Sequence, residues 1–270
     1  MRITFLGTGG AFCDYRVNYQ NNALVETSAG PVLIDCGTTA CQSLKELGRH
    51  PGDLQAVVFT HLHGDHASPE QLIWERYYAS ASGEPGWRET PMLAPADVLD
   101  PLLTSLSPFL APFVDRTGRA RPDGGAALLQ PERTTQARLG DLHITWFRVD
   151  HVTMQGVDKP AYGLWLEQAG VRVWWSGDTA FDAAQATAAA RTPGCSRLFH
   201  ECTFSAPYKG SVHSHYAELL TLPEDVRARM TLMHHTVVPA GVDVVADGFA
   251  GAADRHECFD LHNPAAGGSR

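Results

Sequence analysis

The chain has 270 residues, of which 44% are hydrophobic, and we expect a single domain over residues 1–270 with a packed core. Its formal net charge of -9 argues against a protein that gains affinity by neutralising many phosphates, so a small substrate is expected and a long nucleic acid is not. We find no run of about 18 apolar residues and therefore expect a soluble, cytoplasmic protein without a membrane partner. The six cysteines lack C-x-x-C spacing and are expected to be reduced and structural.

Apolar and β-branched periodicity predicts the elements in chain order. The first half is predicted to contain strands over 2–8, 23–26, 32–35 and 56–60 and a helix over 39–47. Residues 115–140 are predicted as loop with a short strand near 127–129. The second half is predicted to contain strands over 144–149, 162–167, 171–175, 198–199 and 230–233, helices over 181–191 and 216–220, and a frayed tail over 263–270. This order predicts an α/β fold of two sheets packed between helices, with a site at one rim.

Between these halves, residues 68–114 are predicted as a helical insert. Ser68 at the N-cap and Pro69 at the first helical position indicate a helix start. An apolar series over 99–113 keeps helical spacing. Three prolines are expected to break or restart that helix: Pro101, Pro108 and Pro112.

The strongest chemical signal is the segment 60–66, in a chain that contains 13 histidines. In an extended segment His61 and His63 project to the same side, so both can reach one metal ion. A turn at the following glycine can aim Asp65 and His66 at a neighbouring position. One metal is readily explained, and a second is suggested.

These residues form an H-x-H-x-D-H motif that resembles the metallo-β-lactamase superfamily, and the variant HLHGDH is similar to its ribonuclease Z branch. The resemblance spans nearly the whole chain and implies a four-layer αβ/βα sandwich. Its further motifs stand here as residues 5–9, 33–37 with the supporting Asp35, 149–151, 176–179 and 232–234.

The resemblance implies two metal sites that share one carboxylate. The first would be held by His61, His63 and His151, the second by Asp65, His66 and His234, and Asp178 would bridge both. His235 competes with His234 for the last position, and the family pattern favours His234. Imidazoles with two carboxylates suit two Zn²⁺, with Mn²⁺ or Fe as rivals.

A second signal covers residues 198–204 and 212–215 and resembles the HEATF and HST segments of ribonuclease Z. The resemblance carries the proton-donor role onto His213, although His215 stands where the family has threonine and competes for that role. Glu201 is predicted either to orient this imidazole or to bond a ligand histidine. Asp65, Glu201 and His213 are thus the predicted catalytic residues.

The interval between His151 and Asp178 is short and leaves no room for the arm that tRNA-processing ribonuclease Z enzymes carry. Compact relatives include bacterial and phage phosphodiesterases that open cyclic mononucleotides, some of which defeat pyrimidine cyclic-nucleotide immunity signalling. We therefore predict a metal-dependent hydrolase that cleaves a small phosphodiester, a cyclic nucleotide, by attack of a hydroxide between the metals with histidine as general acid.

Three alternatives stay open: a tRNA 3′-processing nuclease, a lactonase or thioesterase on the same site, and a non-catalytic metal-dependent regulator. The role of the insert is open as well. Its aromatic residues Trp74, Tyr77 and Tyr78, with the apolar series over 99–113, could cap the pocket, stack a base, form a homodimer surface or pack on the domain.

Overall fold

The structure, a computed structural model, describes residues 1–81, 91–111, 129–154 and 156–261. Within them, one mixed sheet contains β1 (Arg2–Phe5), β2 (Ala23–Val25), β3 (Val32–Ile34), β4 (Ala56–Val58), β5 (Met92–Ala94), β6 (Pro131–Arg133) and β16 (Cys258–Asp260). The order across this first sheet is β16-β1-β2-β3-β4-β5-β6. The amino-terminal strand thus pairs with the last described strand, in antiparallel register with Ile3 opposite Phe259.

The second mixed sheet is built from the other half of the chain. Its strands are β7 (Gln136–Leu139), β8 (Leu142–Arg148), β11 (Tyr162–Gln168), β12 (Val171–Trp175), β13 (Cys195–Glu201), β14 (Met230–Met233) and β15 (Gly251–Ala252), in the order β15-β14-β13-β12-β11-β8-β7. A separate short hairpin joins β9 (Thr153–Met154) and β10 (Val157–Asp158).

Helices cover the outer face of each sheet. They are α1 (Ala40–Glu46), α2 (Glu70–Ala81), α3 (Ala96–Leu110), α4 (Ala183–Arg191), α5 (Tyr216–Leu219) and α6 (Glu224–Arg227), with a 3₁₀ turn over Pro51–Asp53. Because successive side chains of a strand point to opposite faces, Leu33 packs towards α1, α2 and α3, whereas its neighbours Val32 and Ile34 pack against the second sheet.

The result is four layers, helix–sheet–sheet–helix, which confirms the predicted α/β sandwich. Phe5, Trp175 and Phe199 form the centre of the core between the sheets, with the rings of Phe5 and Trp175 stacked at 5.4 Å. On the far side, Trp174 and Leu198 of the second sheet pack with α4, α5 and α6.

The segment over 68–114, predicted as a helical insert, contributes a strand to the first sheet. It does contain α2 and α3, but β5 lies between them and pairs in parallel with both β4 and β6. The sequence analysis does not predict β5, because Met92–Ala94 is a buried strand of only three residues. Periodicity alone cannot distinguish so short an apolar run from part of a helix.

The expected break at the prolines is wrong for the two that the structure describes. Helix α3 is continuous through Pro101 and Pro108, although an interior proline costs about 3 kcal/mol relative to alanine. Its buried leucines fill the core against the first sheet, and this packing outweighs the cost. The third proline, Pro112, lies outside the described residues.

The loop predicted over 115–140 is wrong where the structure describes it. It contains β6 and β7, which are edge strands of three and four residues, too short for a repeating apolar pattern to stand out. Of the short strand expected near 127–129, only Leu129 is described, and it is buried outside any strand. The expected tail over 263–270 also lies outside the described residues.

Two further expectations concern the solvent and redox environment. Among the described residues no helix is long and apolar enough to cross a membrane. All six cysteines are free thiols, five of them buried, as the lack of C-x-x-C spacing predicted.

Candidate metal centre

The predicted site residues follow strands and meet at one edge of the two sheets. His61 comes after β4, His151 after β8, Asp178 after β12 and His234 after β14, while Glu201 ends β13. In the second sheet β8 and β12 both run antiparallel to β11, and β12, β13 and β14 are parallel, so the carboxyl ends of these four strands coincide. Residues far apart in sequence are thereby placed within contact distance.

A first group of side chains is suited to a single cation. His61, His63, His151 and Asp178 each offer one atom, and these atoms all lie within 4.8 Å of one another. Nε2 of His151 lies 3.2 Å from Nδ1 of His63, and Nε2 of His61 lies 3.7 Å from Oδ2 of Asp178. Ligand atoms of a tetrahedral zinc site lie about 3.3 Å apart, given bonds of about 2.0–2.1 Å.

A second group lies on the other side of Asp178. Nε2 of His66 is 3.3 Å from Oδ1 of Asp178 and 3.3 Å from Oδ2 of Asp65. Nε2 of His234 is 3.3 Å from Oδ2 of Asp178 and 3.4 Å from Oδ2 of Asp65. Asp178 therefore stands between both groups, at the position that the resemblance gives to a bridging carboxylate.

The residues present fit metal ions at these two positions. Nε2 of His61, Nε2 of His66, Oδ1 of Asp65 and Oδ1 of Asp178 are buried, and within the described part of the chain none has a hydrogen-bond partner. A buried polar atom without a partner costs about 1–3 kcal/mol, more when the group is charged. Four such atoms, all on residues of these two groups, indicate a cation-binding site.

The electrostatic balance at Asp178 agrees with that interpretation. Burial acts to raise the pKa of this carboxyl, but His234, His66 and His61 around it hold the pKa well below its usual range. Burial lowers the pKa of His61 well below its usual value, so this imidazole stays neutral and keeps a lone pair for a cation.

Asp35 fixes the orientation of two metal-facing imidazoles. Its Oδ2 accepts a hydrogen bond from Nδ1 of His66 at 2.8 Å, which leaves Nε2 of His66 facing the centre. The same carboxylate accepts the backbone N–H and the hydroxyl of Thr60, each at 2.8 Å. The hydroxyl oxygen of Thr60 lies 3.1 Å from Nδ1 of His61 and can accept from it.

His151 is oriented by a backbone carbonyl. Its Nδ1 donates to the carbonyl oxygen of Val212 at 2.7 Å, so Nε2 is directed to the first group. Sequence reasoning missed this partner and the role of Thr60. Thr60 directly precedes the H-x-H motif and could have been considered, whereas a carbonyl acceptor has no signal in the sequence because every residue has one.

Beside the metal groups, His213 and Glu201 form a hydrogen-bonded pair. Nδ1 of His213 lies 2.7 Å from Oε2 of Glu201, and Oε1 of Glu201 accepts the backbone N–H of Thr179. Oε2 also lies 3.3 Å from Nδ1 of His234. Burial acts to lower the pKa of His213, but its hydrogen bond to Glu201 gives a net rise.

The two histidines that competed with these residues lie elsewhere. His215 bonds Ser211 through Nε2 at 2.6 Å and the carbonyl of Ser205 through Nδ1 at 2.8 Å, so both its nitrogens are engaged within its own loop. Burial lowers the pKa of His235 to about 4, and this residue belongs to none of the described His, Asp and Glu groups. The structure thus brings together His234 and His213 rather than their neighbours.

Two sheets between helices, with paired imidazole–carboxylate groups where the strands of both sheets end, define a protein of the metallo-β-lactamase fold. A family model described as Anti-Pycsar protein Apyc1 matches residues 1–259. The chain therefore belongs to the Anti-Pycsar protein Apyc1 family. This agrees with the superfamily resemblance of the sequence motifs.

Similar proteins of this family come from bacteria and from Bacillus phages. The chain is 30% identical over 247 residues to Anti-Pycsar protein Apyc1 of Paenibacillus sp. (strain J14), covering 87% of this chain and 89% of the relative. It is 31% identical over 242 residues to the protein of the same name from Saccharibacillus brassicae, covering 87% and 90%.

Solved structures support the same fold. The metallo-β-lactamase fold protein YhfI from Bacillus subtilis matches with a TM-score of 0.72 at 16% identity, covering 96% of this chain and 98% of YhfI. Zn(2+)-bound PqqB from Methylobacterium extorquens matches with a TM-score of 0.63 at 15% identity, covering 97% and 100%. At these identities the comparison speaks for the fold alone.

Proposed function

We propose that this chain is a phosphodiesterase that hydrolyses a cyclic nucleotide with two divalent cations, and that His213 supplies the proton to the leaving group. The observation that carries this proposal is the His213–Glu201 pair, 2.7 Å between Nδ1 and Oε2, beside two metal groups that share Asp178. A phosphodiester needs an activated water and an acid for its departing alkoxide, and this arrangement provides a place for both.

His61, His63 and His151 would hold the first cation, Asp65, His66 and His234 the second, and Asp178 both. Imidazole nitrogens with carboxylates suit Zn²⁺, and Mn²⁺ or Fe are the alternatives. Zinc is also the ion bound to PqqB, which shares the fold. When bound, the two cations lower the pKa of water and neutralise charge on the phosphoryl oxygens.

The protein's own groups position and move the protons. Glu201 accepts at Nδ1 of His213 and so fixes the ring, which leaves Nε2 to donate to the departing oxygen. In this proposal Asp65, whose Oδ1 is buried and has no hydrogen-bond partner in the described chain, accepts a proton from the attacking water. Ser214 bonds the carbonyl of Thr179 at 3.0 Å and ties the loop of His213 to the loop of Asp178.

A compact substrate is supported by the segment between His151 and Asp178. Its described residues form the short hairpin β9–β10 and the strands β11 and β12, which belong to the second sheet. The net charge of -9 disfavours a long polyanion. The family name, Anti-Pycsar, agrees with action against pyrimidine cyclic-nucleotide signalling.

The test is turnover of purified protein, with and without chelator, on 3′,5′- and 2′,3′-cyclic nucleotides, bis(p-nitrophenyl) phosphate, precursor tRNA and a lactone. We expect a cyclic nucleotide to be hydrolysed and chelation to abolish the reaction. Preferential cleavage of tRNA or of the lactone would overturn the proposal in favour of a nuclease or an acyl hydrolase, and metal-bound protein without any turnover would make it a regulator.

Three histidine variants test whether His213 is the general acid. His213→Ala should lower kcat by about 10²–10⁴-fold and retain bound metal. His215→Ala should retain activity, because both its ring nitrogens bond within its own loop. His143→Ala, at an exposed position of β8, is the control for the loss of an imidazole. Full activity of His213→Ala would remove the assigned role.

A further inference from the structure

The loop of residues 7–13, which follows β1 and contains three glycines, runs directly beside the second metal group. A Cβ atom on Gly10 would lie 3.3 Å from Cε1 of His234 and 3.6 Å from Nε2, the atom of His234 that faces Asp65 and Asp178. The backbone of this loop therefore forms part of the wall of the centre. Phe12 is two residues further, so its Cα lies within about 7.6 Å of the Cα of Gly10.

This loop is held on both sides. The backbone N–H of Cys13 donates to the carbonyl of Gly10 at 3.1 Å, which closes a turn with Phe12 at one of its two central positions. Cys13 is buried, and Asn18 bonds both the hydroxyl of Thr8 at 2.8 Å and the carbonyl of Thr236 at 2.9 Å. The turn is therefore anchored to the loop that follows His234.

At the tip of this anchored turn Phe12 is 103% exposed, as accessible as in an extended chain. The two other large aromatic residues that are exposed in the described part of the chain are engaged: the hydroxyl of Tyr15 bonds Thr38 and Gln20, and the ring of Tyr208 packs on His215 at 5.6 Å. Phe12 has no polar atom, so its ring faces are available only for packing or stacking.

We propose that Phe12 stacks on the nucleobase of the substrate while the phosphate lies at the metal groups, and thereby determines the preference for nucleotides. This rests on the proposed function. The ring of His213 stacks on that of His234 at 5.3 Å, so the turn, the second metal group and the proton donor lie on the same side of the centre. An aromatic face accepts any base, and a ring on a fixed turn loses little entropy on binding.

The test compares two substrates that differ only in the base. One is a 3′,5′-cyclic nucleotide, and the other is the same cyclic phosphodiester with hydrogen in place of the base. Phe12→Ala should lower kcat/KM for the nucleotide about tenfold, mainly through KM, and leave the abasic diester unchanged. Phe12→Trp should restore the nucleotide value. Calorimetric binding of a hydrolysis-resistant phosphorothioate cyclic nucleotide should weaken by the same factor in Phe12→Ala.

The control is Val245→Ala, which removes another exposed apolar side chain, one whose neighbour Val244 packs on the outer face of the second sheet. It should leave both substrates unaffected. Equal loss on both substrates in Phe12→Ala, or no loss on either, would overturn the stacking role while the hydrolase function stands. If light scattering shows that Phe12→Ala has a different molar mass from the wild-type protein, the stacking role is overturned in favour of an interface between two copies of the chain. If the wild-type protein cleaves neither substrate, the proposed function fails, and this inference with it.

Discussion

The buried carboxylate of Asp35 lies 2.8 Å from Nδ1 of His66 and accepts two further hydrogen bonds from Thr60. Three donors thus converge on two oxygens that are inaccessible to solvent. Burial raises the pKa of Asp35, and its three donors oppose that rise. These hydrogen bonds fix the carboxylate, and the two imidazoles nearest to it are oriented with it.

Asp35→Asn tests this arrangement. The backbone of Asp35 has a φ of 58°, a left-handed conformation that asparagine tolerates, so the variant keeps the local chain path. An amide has one acceptor oxygen for three donors, and its NH₂ faces a donor. We expect metal affinity to fall about 10–100-fold, measured by competition with a chromophoric chelator. Asp225→Asn, on the exposed part of α6, is the control, and an unchanged affinity of Asp35→Asn would refute the role.

Gly177 holds Asp178 in place. It has a φ of 62°, and a Cβ atom there would lie 2.3 Å from the carbonyl oxygen of Tyr162. Gly170 has a φ of 79° with nothing within 4 Å of the same position. Gly170→Ala should cost about 1 kcal/mol in free energy of unfolding from backbone strain alone. Gly177→Ala should cost at least about 2 kcal/mol more and weaken metal binding, as measured by urea denaturation and metal titration. Equal costs would show that the contact with Tyr162 relaxes freely.

Removal of metal should lower the thermal stability. Bound cations give partners to buried atoms that have none among the described residues. At free Zn²⁺ 100-fold above Kd, binding stabilises the folded state by about 2.7 kcal/mol. At roughly 2–4 °C per kcal/mol, Tm should fall by about 5–10 °C after chelation and recover on adding zinc. His66→Ala should show a smaller shift, because it removes one ligand of the second group, and a Tm independent of zinc in the wild-type protein would contradict the metal assignment.

Thiol labelling should distinguish one cysteine from the other five. Cys258 is exposed and the remaining thiols are buried. Burial raises the pKa of Cys13 to about 11 and of Cys41 to about 12, so raising the pH from 7 to 9 leaves both protonated and unreactive. Mass spectrometry of native protein should show one rapid adduct, absent in Cys258→Ser, and six after unfolding. Fast labelling of Cys41 in folded protein would show that the core opens.

The sequence predicted elements well where the pattern was local. The strands predicted over 162–167 and 171–175 are confirmed, and the structure pairs them in antiparallel register across the turn at Ala169 and Gly170. Strands β6 and β7 escape sequence-based prediction because edge strands of three and four residues are too short for a repeating apolar pattern to stand out. Helix α3 was misjudged because the cost of an interior proline is local, whereas the packing of its leucines on the first sheet is not.

At the metal centre, the sequence by itself determined the chemistry: an H-x-H-x-D-H segment after a strand supplies imidazoles and a carboxylate whatever surrounds them. Only the tertiary structure decided which distant groups join them. It placed His234 and not His235 against Asp65, and turned His213 and not His215 to Glu201. The reason is that strand order and register, set by the packing of two sheets, bring the loop of Asp65 to the loop of His234 across more than a hundred residues. Histidines that are close in sequence then differ in the direction in which the backbone points them.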